Sequence, residues 1–229
     1  MSRSLPNASP IVYRFLRGLF RFLGWLLFRQ EVYGLENIPA SGPFLVVVNH
    51  LGIADPPLVF INVQRQMVVF AADKWKKVPG IRQLLEAAGV IWVARGEADL
   101  SAIKAALAVL KSGRPLGMAP EGTRSRTHAL QRGKTGAAYL ADRTGVPIVP
   151  IGISGSERLA ENLRRLRRTP VRLVVGKPFY LPPNGRASGD LLEAYTTQIM
   201  CRIAALLPPE YRGVYADHPQ LRELLTQES

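Results

Sequence analysis

Phe44-Leu45-Val46-Val47-Val48 runs straight into Asn49-His50-Leu51-Gly52-Ile53-Ala54-Asp55 and then Pro56-Pro57. The first five residues, set off by Gly42-Pro43, form a short apolar β-branched run of the kind that makes a buried strand. A histidine therefore stands where a strand ends. Asp55, followed by two prolines and Leu58-Val59-Phe60-Ile61, predicts a helix with Asp55 as N-cap and proline at the first helical position. On one continuous helix His50 and Asp55 would point about 140° apart, but across a tight turn the carboxylate can fold back to the imidazole. A carboxylate on one ring nitrogen fixes the tautomer and makes the other nitrogen a better base. The same residues also suit a structural histidine and an ordinary cap, so the pair gains chemical meaning only if other polar groups converge on it.

Outward from this turn, short apolar runs alternate with helical patterns. Met67–Ala72, Val90–Val93, Leu116–Ala119, Val146–Ile151 and Val171–Val175 read as further strands. Helices are expected from Pro56, over Gly80–Ala88, from an Asp99 cap through Ile103, Leu107 and Leu110 to Gly113, and over Gly136–Arg143. After a linker at Pro182–Ser188 come a helix over Gly189–Leu207 and a shorter one beyond Pro219. This alternation predicts an α/β sandwich, in which ligands bind where strands end.

Three strand ends carry polar groups: His50 with Asp55, then Arg95, then Glu121-Gly122-Thr123-Arg124-Ser125. Gly122 permits close backbone approach, Thr123 and Ser125 supply hydroxyls, and forked guanidinium groups suit a phosphate. Glu121 can orient an arginine or accept a substrate hydroxyl. Lys134, within Gly133-Lys134-Thr135-Gly136, is a further candidate phosphate contact, although the spacing is not that of a Walker A loop.

At 229 residues the chain is long enough for one full core, and 47% apolar residues make it globular. Thirty Lys and Arg against seventeen Asp and Glu give a net charge of +13, which points to an anionic partner. A single cysteine, Cys201, excludes an internal disulfide and fits a reducing compartment. His50, His128 and His218 are scattered, so neither a structural zinc site nor a cofactor metal is expected.

Residues 1–10 read as a polar tail. From Ile11 to Phe28 the chain is apolar and aromatic except for Arg14, Arg17 and Arg21. As a helix it would be about 27 Å long, but each arginine at mid-bilayer would cost about 2.5 to 3.5 kcal/mol. The three arginines fall on one face, so the segment is expected to lie in a membrane interface with its arginines at lipid phosphates. The competing arrangement is a helix packed on the protein's own core. The arginines interrupt any signal-peptide core. Arg158 to Arg172 holds six arginines against Glu161 and no aromatic residue, unlike a nucleic-acid surface, where aromatics interleave with basic groups. No nucleic acid is expected; the run suits acidic lipid, the phosphates of coenzyme A or an acidic carrier protein.

Asn49-His50-x4-Asp55, Val90 to Arg95, Pro120-Glu121-Gly122-Thr123-Arg124-Ser125 and Val146-Pro147-Ile148-Val149-Pro150 resemble the four ordered blocks of the glycerolipid acyltransferases. The likeness is closest to the 1-acyl-sn-glycerol-3-phosphate acyltransferases and covers about Val32 to Lys177. It implies a mixed central sheet flanked by helices, and transfer of a fatty acyl chain from acyl-CoA or acyl carrier protein to a lysophosphatidate hydroxyl. It casts His50 as general base and Asp55 as its partner, with Arg95, Glu121, Gly122 and Arg124 at the acceptor phosphate. Asn49, Thr123, Ser125 and Lys134 complete the expected substrate-binding set, with no resident cofactor. Met118-Ala119 stands where this family usually has an aromatic residue, and Val93-Ala94 where an acidic one often precedes the arginine. These departures leave another lysophospholipid or hydroxylated lipid open as acceptor.

The expected layout is a tail and interfacial helix over residues 1–30, a catalytic domain over 31–185 and C-terminal helices over 186–229 packed on it. The expected location is the cytoplasmic face of a membrane, peripheral or monotopic. Two other readings compete. Gly152-Ile153-Ser154-Gly155-Ser156 half resembles a nucleophile elbow, as in an interfacial serine hydrolase. A catalytically silent membrane-binding module is the other.

Overall fold

The structure, a computed structural model, describes residues 10–94, 99–182 and 185–227. Helix α1 (Pro10–Leu27) leads without a break into β1 (Phe28–Tyr33). There follow β2 (Leu45–Val48), α2 (Asp55–Asn62), β3 (Val68–Ala72), α3 (Ile81–Ala88), β4 (Val90–Val93), α4 (Leu100–Lys111) and β5 (Leu116–Met118). Then come α5 (Gly136–Thr144), β6 (Ile148–Ser154), α6 (Leu159–Arg164), β7 (Thr169–Val175), α7 (Gly189–Ala205) and α8 (Pro219–Gln227).

The seven strands form one mixed sheet in the order β1-β7-β6-β2-β5-β3-β4. Every neighbouring pair is parallel except β6 and β7. Strand β2 lies between β5 and β6, so the turns that leave all three open at one edge of the sheet. That placement is what gathers the site.

β2 is covered on both faces, which is why it is apolar throughout rather than alternating. Leu45 and Val47 join a core built with α4, α5 and α7, while Phe44 and Val46 join a second core with α2, β1 and β7. The side chains split this way because successive strand residues point to opposite faces.

Sequence patterning does not predict β1. Its residues, Phe-Arg-Gln-Glu-Val-Tyr, are half polar because it is an edge strand, and its register sets Phe28 opposite Thr169 and Tyr33 opposite Val174. A boundary at residue 30 falls inside this strand.

Helix α1 packs on the protein along one side and leaves another side exposed. Tyr13, Leu16 and Gly24 are buried, and the Tyr13 and Phe20 rings pack edge-on against Phe60 of α2. Arg17 donates to the carbonyls of Ile61 and Gln64 at 3.1 and 3.0 Å, closing off the C-terminal end of α2. At about 100° per residue, Ile11, Phe15, Leu19, Phe22 and Leu26 fall on a separate stripe, and all five are exposed. No described helix is long and apolar enough to cross a membrane.

Candidate active site

Asp55 is the first residue of α2 rather than its cap: Ala54 holds the N-cap position and makes no side-chain cap bond. The carboxylate instead turns back into the loop that precedes the helix. Its Oδ2 accepts from His50 Nδ1 at 2.9 Å and from the backbone N–H groups of Leu51 and Gly52, each at 2.7 Å. Its Oδ1 accepts from the Ser156 hydroxyl in a short hydrogen bond. Asp55 is 1% exposed, so four donors replace the water that it lost. Because the carboxylate only accepts, Nδ1 carries the proton and Nε2 is left with a free lone pair.

The imidazole lines a cavity of about 580 Å³. Val46, Val48, Val59, Met67, Ile103 and Met118 give this cavity an apolar wall, and Lys134, Thr135 and Tyr139 stand at its polar part. A long aliphatic chain fits such a wall, and an anionic group fits the lysine.

The turn after β5 is held against the histidine loop by Glu121. Its Oε1 accepts from the His50 backbone N–H at 2.9 Å and its Oε2 from the Gln131 N–H at 3.0 Å. The Ser125 N–H donates to the His50 carbonyl at 2.7 Å, which ties the two turns together through their backbones. Glu121 is 2% exposed, and burial pushes its carboxyl above the ordinary carboxylate range despite the two backbone donors. Each oxygen thus holds a backbone N–H of a neighbouring loop, so Glu121 builds the site by joining the two turns.

The other expected residues divide in the same way. Asn49 exchanges two 2.8 Å hydrogen bonds with the backbone of Ile153, so its amide joins the histidine loop to β6. The Ser125 hydroxyl donates to the Ala129 carbonyl at 2.7 Å and closes its own turn. These three polar side chains are occupied by the fold, a use that sequence cannot separate from ligand binding. Gly122 has φ +71°, and a Cβ there would come within 3.2 Å of the Lys134 side chain, so the glycine keeps the path beside the lysine open. Thr123 and Arg124 are exposed on the same turn but do not line the cavity. Arg95 lies outside the described residues. Among the described residues no group of three His, Cys, Asp or Glu side chains is placed to hold a metal.

Ser156 is the contributor that sequence reading missed. Gly155, at φ +90°, makes the turn out of β6, and a Cβ there would sit 2.3 Å from the Pro170 carbonyl oxygen, so only glycine fits. That turn buries Ser156 beside Asp55. The only legible signal is the Gly152-x-Ser154-x-Ser156 pattern, whose elbow-like serine is Ser154 and not Ser156. In a serine hydrolase the histidine stands between serine and carboxylate. Here the carboxylate stands between serine and histidine, and the hydroxyl donates to it, so the imidazole does not activate Ser156.

An imidazole held by a carboxylate at the wall of an apolar cavity defines a site for moving a proton beside a long aliphatic group. A family model described as Acyltransferase matches residues 29–154, more than half of the chain, and the chain belongs to the acyltransferase family. It is 32% identical over 143 residues to the 1-acyl-sn-glycerol-3-phosphate acyltransferase of Borreliella burgdorferi, covering 59% of this chain and 56% of that one. The protein of the same description from Bacillus subtilis is 25% identical over 175 residues, covering 74% and 83%. The crystal structure of PlsC, the 1-acyl-sn-glycerophosphate acyltransferase of Thermotoga maritima, superposes with a TM-score of 0.63 at 29% identity, covering 82% of this chain and 75% of that one. The chain spans about half the length of the first curated relatives it matches.

Proposed function

We propose that this chain is a 1-acyl-sn-glycerol-3-phosphate acyltransferase, which moves a fatty acyl group from a thioester of coenzyme A or acyl carrier protein to the free hydroxyl of lysophosphatidate. The carrying observation is the His50–Asp55 pair at the wall of the apolar cavity. His50 Nε2 takes the hydroxyl proton as the oxygen attacks the thioester carbonyl carbon. The C–S bond then breaks, and the imidazolium returns the proton to the departing thiolate. Products are phosphatidate and the free thiol. Asp55 stabilises the imidazolium, and general-base help of this kind contributes a factor of about 10² to 10⁴. No acyl-enzyme is involved and no resident cofactor is called for; the thioester is a co-substrate.

Lys134 at the cavity, the exposed Arg124 and Arg95, which follows β4 in the sequence, are assigned to the acceptor phosphate. The reaction takes place at the cytoplasmic face of a membrane, with the protein bound peripherally or monotopically. Its acceptor and product are membrane amphiphiles, the exposed stripe of α1 suits an interface, and a charge of +13 suits an anionic leaflet. Nucleic acid is not among the proposed partners.

Thiol release from acyl-CoA or acyl carrier protein, with lysophosphatidate and other lysophospholipids offered in turn, tests the reading. Release that depends on lysophosphatidate, with phosphatidate as product, is expected. Equal release with no acceptor present would instead make the protein a thioesterase.

A further inference from the structure

Away from the His50 cavity, and sharing no lining residue with it, a cleft of about 690 Å³ opens between α1, β1 and the end of α2. Arg14, Arg17, Arg21 and Arg168 line it, and no carboxylate does. Two of these arginines are fixed by the fold. Arg17 is tied to the carbonyls of Ile61 and Gln64. Arg168 donates through Nε to the Phe28 carbonyl at 3.1 Å and lies over the Trp25 ring at 5.8 Å. Arg14 and Arg21 are exposed and form no ion pair among the described residues. Four like charges around one cleft repel one another unless an anion joins them, and forked guanidinium groups match phosphate oxygens.

Exposed apolar side chains lie near these arginines in the chain. On α1 the exposed stripe of Phe15, Phe22 and Leu26 adjoins the arginine face. Beyond Arg168, the loop between α6 and β7 projects Leu166, 96% exposed and at φ +51°, with Arg165 and Arg167 on either side. Exposed apolar groups beside unpaired arginines match a phospholipid, with its phosphate in the cleft and its aliphatic part against the stripe.

We propose that the cleft formed by Arg14, Arg17, Arg21 and Arg168 binds the phosphate of an anionic membrane phospholipid, distinct from the acyl acceptor. The proposal deepens the membrane-surface reading given above and rests on it. It assigns Arg168, the residue before β7, to lipid docking alongside the N-terminal arginines instead of to the thioester donor.

The test is co-sedimentation with phosphatidylcholine vesicles and with the same vesicles doped with phosphatidylglycerol. Replacing the two exposed arginines, Arg14→Gln with Arg21→Gln, should weaken binding to the doped vesicles by about 30-fold. Binding to phosphatidylcholine alone should change little, and glutamine keeps the helix propensity. Lys111→Gln with Lys177→Gln removes the same charge outside the cleft and should cost clearly less. An equal loss in the two double variants would reduce the effect to net charge and overturn the site. Unchanged binding after loss of Arg14 and Arg21 would also overturn it. Inorganic phosphate at matched ionic strength should leave the bound fraction in place, and full displacement would mark a free-phosphate site. Vesicle binding is read without any acyl transfer, so the docking site and the reaction succeed or fail separately.

Discussion

The hydroxyl of Ser156 donates to Oδ1 of Asp55, the carboxylate oxygen opposite the one that holds His50. Two elements more than a hundred residues apart in sequence thereby orient one imidazole. Ser156→Ala should lower kcat by about ten-fold, the size of a lost hydrogen bond to a charged group, with little change in KM for acyl-CoA. A purely structural role would show as a lower melting temperature with kcat preserved.

His50→Ala should reduce turnover by at least about 10²-fold while the protein stays folded, because the ring is at the cavity wall and only its Nδ1 bond is lost. Thiol release together with circular dichroism decides this. Retained turnover in folded protein would remove His50 from its proposed role.

Glu121 should act on stability as well as activity. Glu121→Ala strands two partly buried N–H groups, at a cost of about 1 kcal/mol each. Burial raises the folded-state pKa of this carboxyl, so its contribution is fully present below the unfolded pKa and is lost as pH rises through the folded one. The stability gap between wild type and Glu121→Gln should therefore widen from neutral to mildly acidic pH, as urea unfolding will show. A gap that narrows on acidification would contradict this.

Chain-length preference should respond to the apolar wall. Ile103 of α4 reaches the cavity from one side, and Ile103→Trp fills part of it. Turnover should shift toward shorter acyl-CoA substrates, with a stability cost of about 1 to 3 kcal/mol from overpacking. A series of acyl-CoA chain lengths gives the readout, and an unchanged optimum would place the acyl chain elsewhere.

The stripe on α1 can be tested without disturbing the fold. Deleting the segment through Arg29 would also remove the start of β1 and the α1 packing on α2, so point changes are the cleaner probe. Phe15 and Phe22 are 69% and 58% exposed. Phe15→Ser with Phe22→Ser should lower vesicle binding by about 100-fold, an amount set by apolar area, while melting temperature hardly moves. Co-sedimentation equal to wild type would count against α1 as the contacting helix.

Much of the sheet is legible in the sequence because its central strands are covered on both faces and read as apolar runs, as in Leu45–Val48 and the Ile148–Ile151 part of β6. β1 escapes because an edge strand needs no such run, and because nothing in the sequence separates it from the preceding helix. Asp55 reads as a cap since a carboxylate before two prolines carries that signal; only the fold shows it turned back toward His50.

By itself the sequence determined which residues could do chemistry, since spacing and residue type place a histidine and an aspartate across one turn at a strand end. Tertiary structure alone decided how the polar groups divide. Asn49, Glu121 and Ser125 spend their hydrogen bonds on joining loops, and Ser156 spends its own on Asp55. The reason is physical: a buried polar group must be paired, and its partner comes from whichever strand the topology sets beside it, which local sequence does not record.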